Sequence, residues 1–154
     1  MKGTHHRLAV HLYNLGFSLL PLADNKVPVV KWKRLQAERC SRADVDLWFR
    51  DNDWRPGIIT GGLSGIVVVD CDDAGSVGMI ENAGCGSDVR QATKRGRHFV
   101  FRHPGVLTRN RRRLGGQNID VRGDGGYVVA YDDAAKWTKG VLGRLPKYEE
   151  PHLL

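Results

Sequence analysis

Asp70-Cys71-Asp72, at the end of the apolar run Ile66-Val67-Val68-Val69, is the segment of this chain best equipped for chemistry. Side chains alternate along a strand, so Asp70 and Asp72 should point to one side and Asp73 to the other. Two carboxylates side by side repel unless a cation lies between them. Mg²⁺ and Mn²⁺ suit such a pair, because they take oxygen ligands and complete their shells with water and phosphate oxygens. Asp120, in Asn118-Ile119-Asp120, is a candidate third carboxylate on a neighbouring strand. Two ions held by Asp70, Asp72 and Asp120 could activate an attacking hydroxyl and steady a leaving pyrophosphate. The competing reading gives Asp70 or Asp72 only the task of capping the helix or turn that follows.

A second reactive segment is Thr93-Lys94-Arg95-Gly96-Arg97-His98, which leads into the apolar Phe99-Val100-Phe101. Gly96 would allow a ligand to approach the backbone closely. His98 could then hydrogen-bond a triphosphate, with Lys94, Arg95 or Arg97 adding charge. The other histidines, His5, His6, His11, His103 and His152, are expected to play ordinary surface roles. Two familiar nucleotide sites are disfavoured. Val67-Val68-Val69-Asp70 has the form of a Walker B strand, but no G-x-x-x-x-G-K-[ST] accompanies it. The glycine-rich stretch Gly57–Gly65 lacks the G-x-G-x-x-G of a dinucleotide site.

These groups sit in a chain of 154 residues, read as one domain over 1–154 and large enough for a hydrophobic core. No apolar run approaches the roughly 20 residues of a membrane-spanning helix, and the start lacks a secretory signal. The expectation is a cytoplasmic protein with no membrane partner. Cys40, Cys71 and Cys85 are odd in number and scattered, which argues for a reducing compartment and against structural zinc. The formal charge of +7 favours polyanions, and nucleic acids foremost. Arg111, Arg112 and Arg113, following Arg109, are candidate nucleic-acid contacts, against the alternative of a solvated loop.

The positioning elements can be read in outline. Thr4 is expected to cap a helix bearing Leu8, Leu12 and Leu15, stopped by Gly16. Phe17–Leu20 reads as a strand, and 21–33 as a loop that must lie near something. Ser41 and Asp44 form a capping box opening a helix through Trp48 and Phe49. Gly57–Thr60 is a short strand, Gly61–Gly65 a tight connection, and Ile66–Asp70 a central strand covered on both faces. Ala74–Asn82 reads as a helix weakened by Gly75 and Gly78. Further strands are expected at Asp88–Thr93, His98–Arg102, Asn118–Arg122 and Tyr127–Ala130. The turn Gly123-Asp124-Gly125-Gly126 joins the last two. The fold class is α/β, with strands dominating the second half.

In order along the chain, several segments resemble the bifunctional primase–polymerase (prim-pol) domain of phage, plasmid and related mobile-element replication proteins, in the archaeo-eukaryotic primase superfamily. They are Phe17–Leu22, Lys26-Val27-Pro28 with Trp32, Gly57–Gly61 with Ser64-Gly65, Ile66–Asp72, Thr93–Phe101 and Ile119–Val129, so the resemblance spans about residues 8–130. It implies an α/β (α+β) catalytic core. In that core an N-terminal α/β unit is joined to a unit like an RNA-recognition motif with a mixed sheet, and the active site lies between them. It implies template-directed nucleotidyl transfer, as a DNA primase, a DNA polymerase or both. Asp70, Asp72 and Asp120 match the family's metal ligands for two Mg²⁺ or Mn²⁺ ions, and His98 its nucleotide contact. Lys26, Thr60, Gly61, Thr93, Gly96, Arg97 and Arg122 are placed by the same likeness around the nucleotide. The implied partners are nucleoside triphosphates, a single-stranded DNA template with primer, and a helicase in the same or a separate chain. Gly96 stands where relatives often carry serine, and Tyr131-Asp132-Asp133 where many continue with two prolines and a serine. The alternatives are a catalytically degenerate nucleic-acid-binding replication module and a metal-dependent nuclease.

Overall fold

The computed structural model describes residues 2–87, 89–130 and 137–151. Asp88, Tyr131–Asp133 and His152, which figure in the expectations above, lie outside the described residues. Helix α1 (His6–Asn14) buries Leu8, Ala9 and Leu12 and gives way at Gly16, whose φ of 104° suits glycine. His5, not Thr4, stands at its N-cap, without a side-chain cap bond. Thr4 instead hydrogen-bonds Asp53 and holds that carboxyl below its ordinary range. Strand β1 (Leu19–Leu22) starts two residues later than expected and takes Pro21 and Leu22 from the expected loop. Helix α2 (Arg42–Arg50) has the anticipated capping box, with Ser41 and Asp44 bonding reciprocally, and buries Val45, Trp48 and Phe49.

Strands β2 (Arg55–Ile59) and β3 (Ile66–Cys71) follow, then helix α3 (Ala74–Asn82). Strands β4 (Arg90–Ala92), β5 (Arg97–Arg102), β6 (Ile119–Arg122) and β7 (Tyr127–Val129) come next, then a short helix α4 (Lys139–Leu142) that the sequence reading did not anticipate. The strands form two sheets, ordered β1-β2-β7 and β4-β5-β3-β6. Pro21 is tolerated because β1 is an edge strand. Among the described residues every pairing of these strands is antiparallel. The expected mixed sheet is therefore not formed. Parallel pairing is confined to the isolated bridges Arg102–Lys147 and Arg109–Asp124.

The last two strands depart from a hairpin. β6 pairs with β3, whereas β7 pairs with β2 in the other sheet. The position beside β6 is already taken: Arg111 and Val121 exchange both backbone hydrogen bonds, at 2.9 and 2.7 Å. The turn after β6 therefore carries the chain across to the first sheet. A second crossover, Thr60–Gly65, joins β2 to β3, and the two are fastened by Gly62 N–H donating to Asp124 Oδ1 at 2.8 Å.

Strand β3 is the spine of both cores. Val67, Val69 and Cys71 pack with Ile80, Phe99, Phe101, Ile119 and Val121 on the α3 side. Ile66 and Val68 pack with β1, β2 and β7 on the other. Val67, Val68 and Val69 are fully buried, each contributing about 1.5–3 kcal/mol. The described segment 137–151 closes both cores, with Trp137 edge-on to Phe17 and Tyr148 edge-on to Phe101. Among the described residues no helix is long and apolar enough to cross a membrane.

Candidate active site

Strand register alone assembles most of the site. Asp70 on β3 lies opposite His98 on β5 and opposite Asp120 on β6, and His98 in turn lies opposite Gln91 on β4. Directly paired residues share a face, so Gln91, His98, Asp70 and Asp120 form one polar row across the sheet. The neighbouring row on that face is Val100, Val68 and Arg122. The apolar core thus gives way to chemistry within one step along β3.

His98 is only 5% exposed, with Nε2 3.4 Å from Asp70 Oδ1 and Nδ1 3.2 Å from Gln91 Nε2. Burial pushes the Asp70 carboxyl up, but the hydrogen bond and charge of His98, with Arg122 and Lys26, outweigh it and leave Asp70 lowered. Asp72, exposed just beyond the strand, is raised by partial burial and by repulsion from Asp70 and Asp120, against a smaller pull from Arg95 and Arg122. Helix capping falls to neither of them. Asp73 caps α3 through Ser76, and its other oxygen accepts from Asn118 Nδ2 at 2.7 Å, which brings its carboxyl down to about 2. Asp70 and Asp72 are therefore not spent on the turn.

Asp120 accepts from Arg113 N–H at 2.9 Å and from the Arg122 guanidinium at 3.0 Å. Among the described residues, no group of three or more His, Cys, Asp or Glu side chains is gathered so as to hold a metal ion by itself. The donor set still suits Mg²⁺ or Mn²⁺. It is all oxygen, its negative charge is under-compensated at Asp72, and such ions commonly bind through one or two carboxylates plus water and substrate phosphates.

Asp70, His98 and Arg122 form one wall of a cleft of about 270 Å³, and Tyr127, Val128 and Val129 of β7 form the facing wall. Lys26 and Trp32 supply the rim, so the loop over 23–33 borders the cleft. Tyr127 fixes that rim: its hydroxyl donates to the Lys26 carbonyl at 2.9 Å, and its ring stands edge-on to Trp32. Lys26 itself has a φ of 67°, unusual outside glycine, and its N–H donates to the Ala23 carbonyl at 2.8 Å.

Other expected residues lie elsewhere. Thr60 is buried, and its hydroxyl donates to the Gly123 carbonyl at 2.7 Å. Gly61 adjoins Asp124, whose Oδ1 would lie 2.5 Å from any Cβ there. Both residues build the crossover corner and neither lines the cleft. Thr93 accepts from Gly96 N–H at 3.1 Å to close the β4–β5 turn. Gly96 is approached by protein rather than by a ligand, since a Cβ would meet the Cys71 carbonyl oxygen at 1.8 Å. Arg97 alternates to the face opposite His98 and pairs with Glu81 at 2.7 Å. Arg111 pairs with Glu150 at 2.5 Å, Arg113 holds Asn118 and the Gly116 carbonyl, and Arg112 is exposed.

The remaining described histidines are not idle surface groups. His103 bonds Asp124 at 3.1 Å, His6 bonds Asp46 at 2.7 Å, His11 bonds the Trp137 carbonyl, and His5 is buried. Gln91 and Tyr127 are the participants that reading by motif missed. Gln91 had a usable signal: a turn centred on Lys94 and Arg95 pairs residue 91 with residue 98. A family model described as bifunctional DNA primase/polymerase, N-terminal, matches residues 9–141. No curated protein matches the chain.

Proposed function

The chain belongs to the bifunctional DNA primase/polymerase N-terminal domain family, and on that premise we propose that it carries out template-directed nucleotidyl transfer in the replication of a phage, plasmid or other mobile element. The reaction is attack by a 3′ hydroxyl on the α-phosphate of a nucleoside triphosphate, forming the new phosphodiester and releasing pyrophosphate. The observation that carries this reading is the row Asp120–Asp70–His98, set in register on three adjacent strands, with Asp70 and His98 facing the cleft.

In this reading Asp70, Asp72 and Asp120 would hold Mg²⁺ or Mn²⁺. Bound there, such ions would acidify the attacking hydroxyl and offset charge on the leaving pyrophosphate. His98 donates from Nε2 to a triphosphate oxygen. Lys26 and Arg122, whose charges already reach Asp70, offset the remaining phosphate charge. Tyr127 and Trp32 provide the apolar wall against which a base or sugar would rest. Single-stranded template with primer is assigned to the basic surface around Arg112.

The test is primer extension on a single-stranded template with Mg²⁺ or Mn²⁺, comparing the wild type with the double variant Asp70→Ala, Asp72→Ala. A loss on the order of a thousandfold is expected, since positioning and charge stabilisation carry such a reaction. Undiminished extension by the variant rejects the assignment. One observation favours a second reading, a degenerate nucleic-acid-binding replication module: both Asp120 oxygens are already occupied by Arg113 and Arg122. That reading requires retained DNA binding with no triphosphate-dependent product from the wild type.

A further inference from the structure

Gln91 is 4% exposed, on the edge strand of the second sheet, and its side-chain amide does two things at once. Its Nε2 lies 3.2 Å from His98 Nδ1 and 3.2 Å from the Val129 carbonyl oxygen. The second contact decides the first. A carbonyl oxygen can only accept, so the group facing Val129 must be the amide NH₂ rather than the amide oxygen. The same NH₂ then faces Nδ1, and Nδ1 must accept. In a neutral imidazole an accepting Nδ1 leaves the proton on Nε2. Nε2 is the nitrogen turned toward Asp70 and the cleft.

We infer that Gln91 is the positioning residue that fixes His98 as a hydrogen-bond donor toward the cleft, with the Val129 carbonyl as the reference that sets the amide's orientation. This rests on the reading of His98 as a triphosphate contact. A phosphate oxygen at neutral pH has no proton to give on most of its oxygens, so only the Nε2–H form of a neutral ring can bond it. The device is also mechanical. Val129 belongs to the facing wall of the cleft, so Gln91 ties that wall to the ring of His98. A shift of β7 therefore reaches the histidine through one side chain.

The experiment uses the full chain labelled with ¹⁵N-histidine, with ring nitrogens read by NMR at one mildly alkaline pH. The wild type is expected to show the Nε2–H tautomer at His98. An Nδ1–H or doubly protonated ring overturns the inference, and this measurement needs no variant to fold. In Gln91→Glu the carboxylate can only accept, so a proton is expected on Nδ1 in addition to the Nε2–H that faces Asp70. A Gln91→Glu protein that keeps its sole ring proton on Nε2, with nothing altered beyond melting temperature, reduces Gln91 to packing and overturns the inference. In Gln91→Met the KM for the nucleoside triphosphate (ATP and dATP each tested) is expected to rise on the order of tenfold, the loss typical of one hydrogen bond to a charged group, with a smaller change in kcat. An unchanged KM overturns it. A wild type without nucleotidyl transfer instead removes the functional reading above, and the tautomer spectra then decide Gln91's effect on His98 alone.

Discussion

Asp70 and Asp72, two residues apart, have been driven in opposite directions. The half-buried one is lowered by His98 against the effect of burial, and the exposed one is pushed up by partial burial and by its acidic neighbours. A cation beside Asp72 would relieve that repulsion. The glycine that lets them stand where they do is Gly96. Its missing side chain admits the Cys71 carbonyl, the link between the two acids, and a Cβ there would overlap that oxygen at 1.8 Å. A serine at this place has no room here. Gly96→Ala is therefore expected to cost at least about 3 kcal/mol, because backbone rather than a flexible side chain must move. Urea unfolding measures it, and a loss under about 1 kcal/mol would show that the β3–β5 approach is soft.

Among the elements, the two crossovers are as informative as the strands. Asp124 binds them together by accepting from the N–H groups of Gly62 and Thr108 and by meeting His103. Burial pushes its carboxyl up, but those donors prevail and leave it lowered. A carboxyl lowered on folding contributes stability that is present above its unfolded value and lost as pH falls through the folded one. Asp124→Ala is expected to cost about 2 kcal/mol at neutral pH. The gap from the wild type should close in acid, below about pH 4, and denaturation at a series of pH values reads it directly. A gap constant down to pH 2 would exclude this origin.

The helices α1 and α2 and the strand β3 were legible because their signals are local: an apolar spacing, a capping box, a β-branched run. The partner of β7 was not, because the vacancy beside β6 is decided by Arg111, ten residues upstream of Val121. The same distinction governs the site. Asp70 and Asp72 were paired by counting alternation along a strand, and His98 was singled out by its setting after Gly96. Arg97 was expected beside His98 from their adjacency in sequence, yet adjacent strand residues face opposite ways. Thr60 looked like a ligand group, but a buried carbonyl at Gly123 had first claim on its hydroxyl.

At the scale of the whole molecule, the charge of +7 is not free to act everywhere. Glu81 and Glu150 take up Arg97 and Arg111, and Arg113 is bound within its own loop. If the arginine segment meets a nucleic-acid backbone, replacing Arg111, Arg112 and Arg113 by glutamine flattens the salt dependence of single-stranded DNA affinity. The log–log slope should fall by about 0.7 for each phosphate contact removed. Fluorescence anisotropy across a salt series measures it, and an unchanged slope returns the segment to solvent.

The passage from Arg122 to Tyr127 has a last consequence. These two residues stand on opposite walls of the cleft, yet only five peptide links separate them, at most about 18 Å of chain fully drawn out. Asp124 and Thr60 fasten that tether to the crossover between β2 and β3. The cleft is therefore shut at this corner like a book at its spine. Any widening of the cleft at this corner is limited by that short stretch of chain.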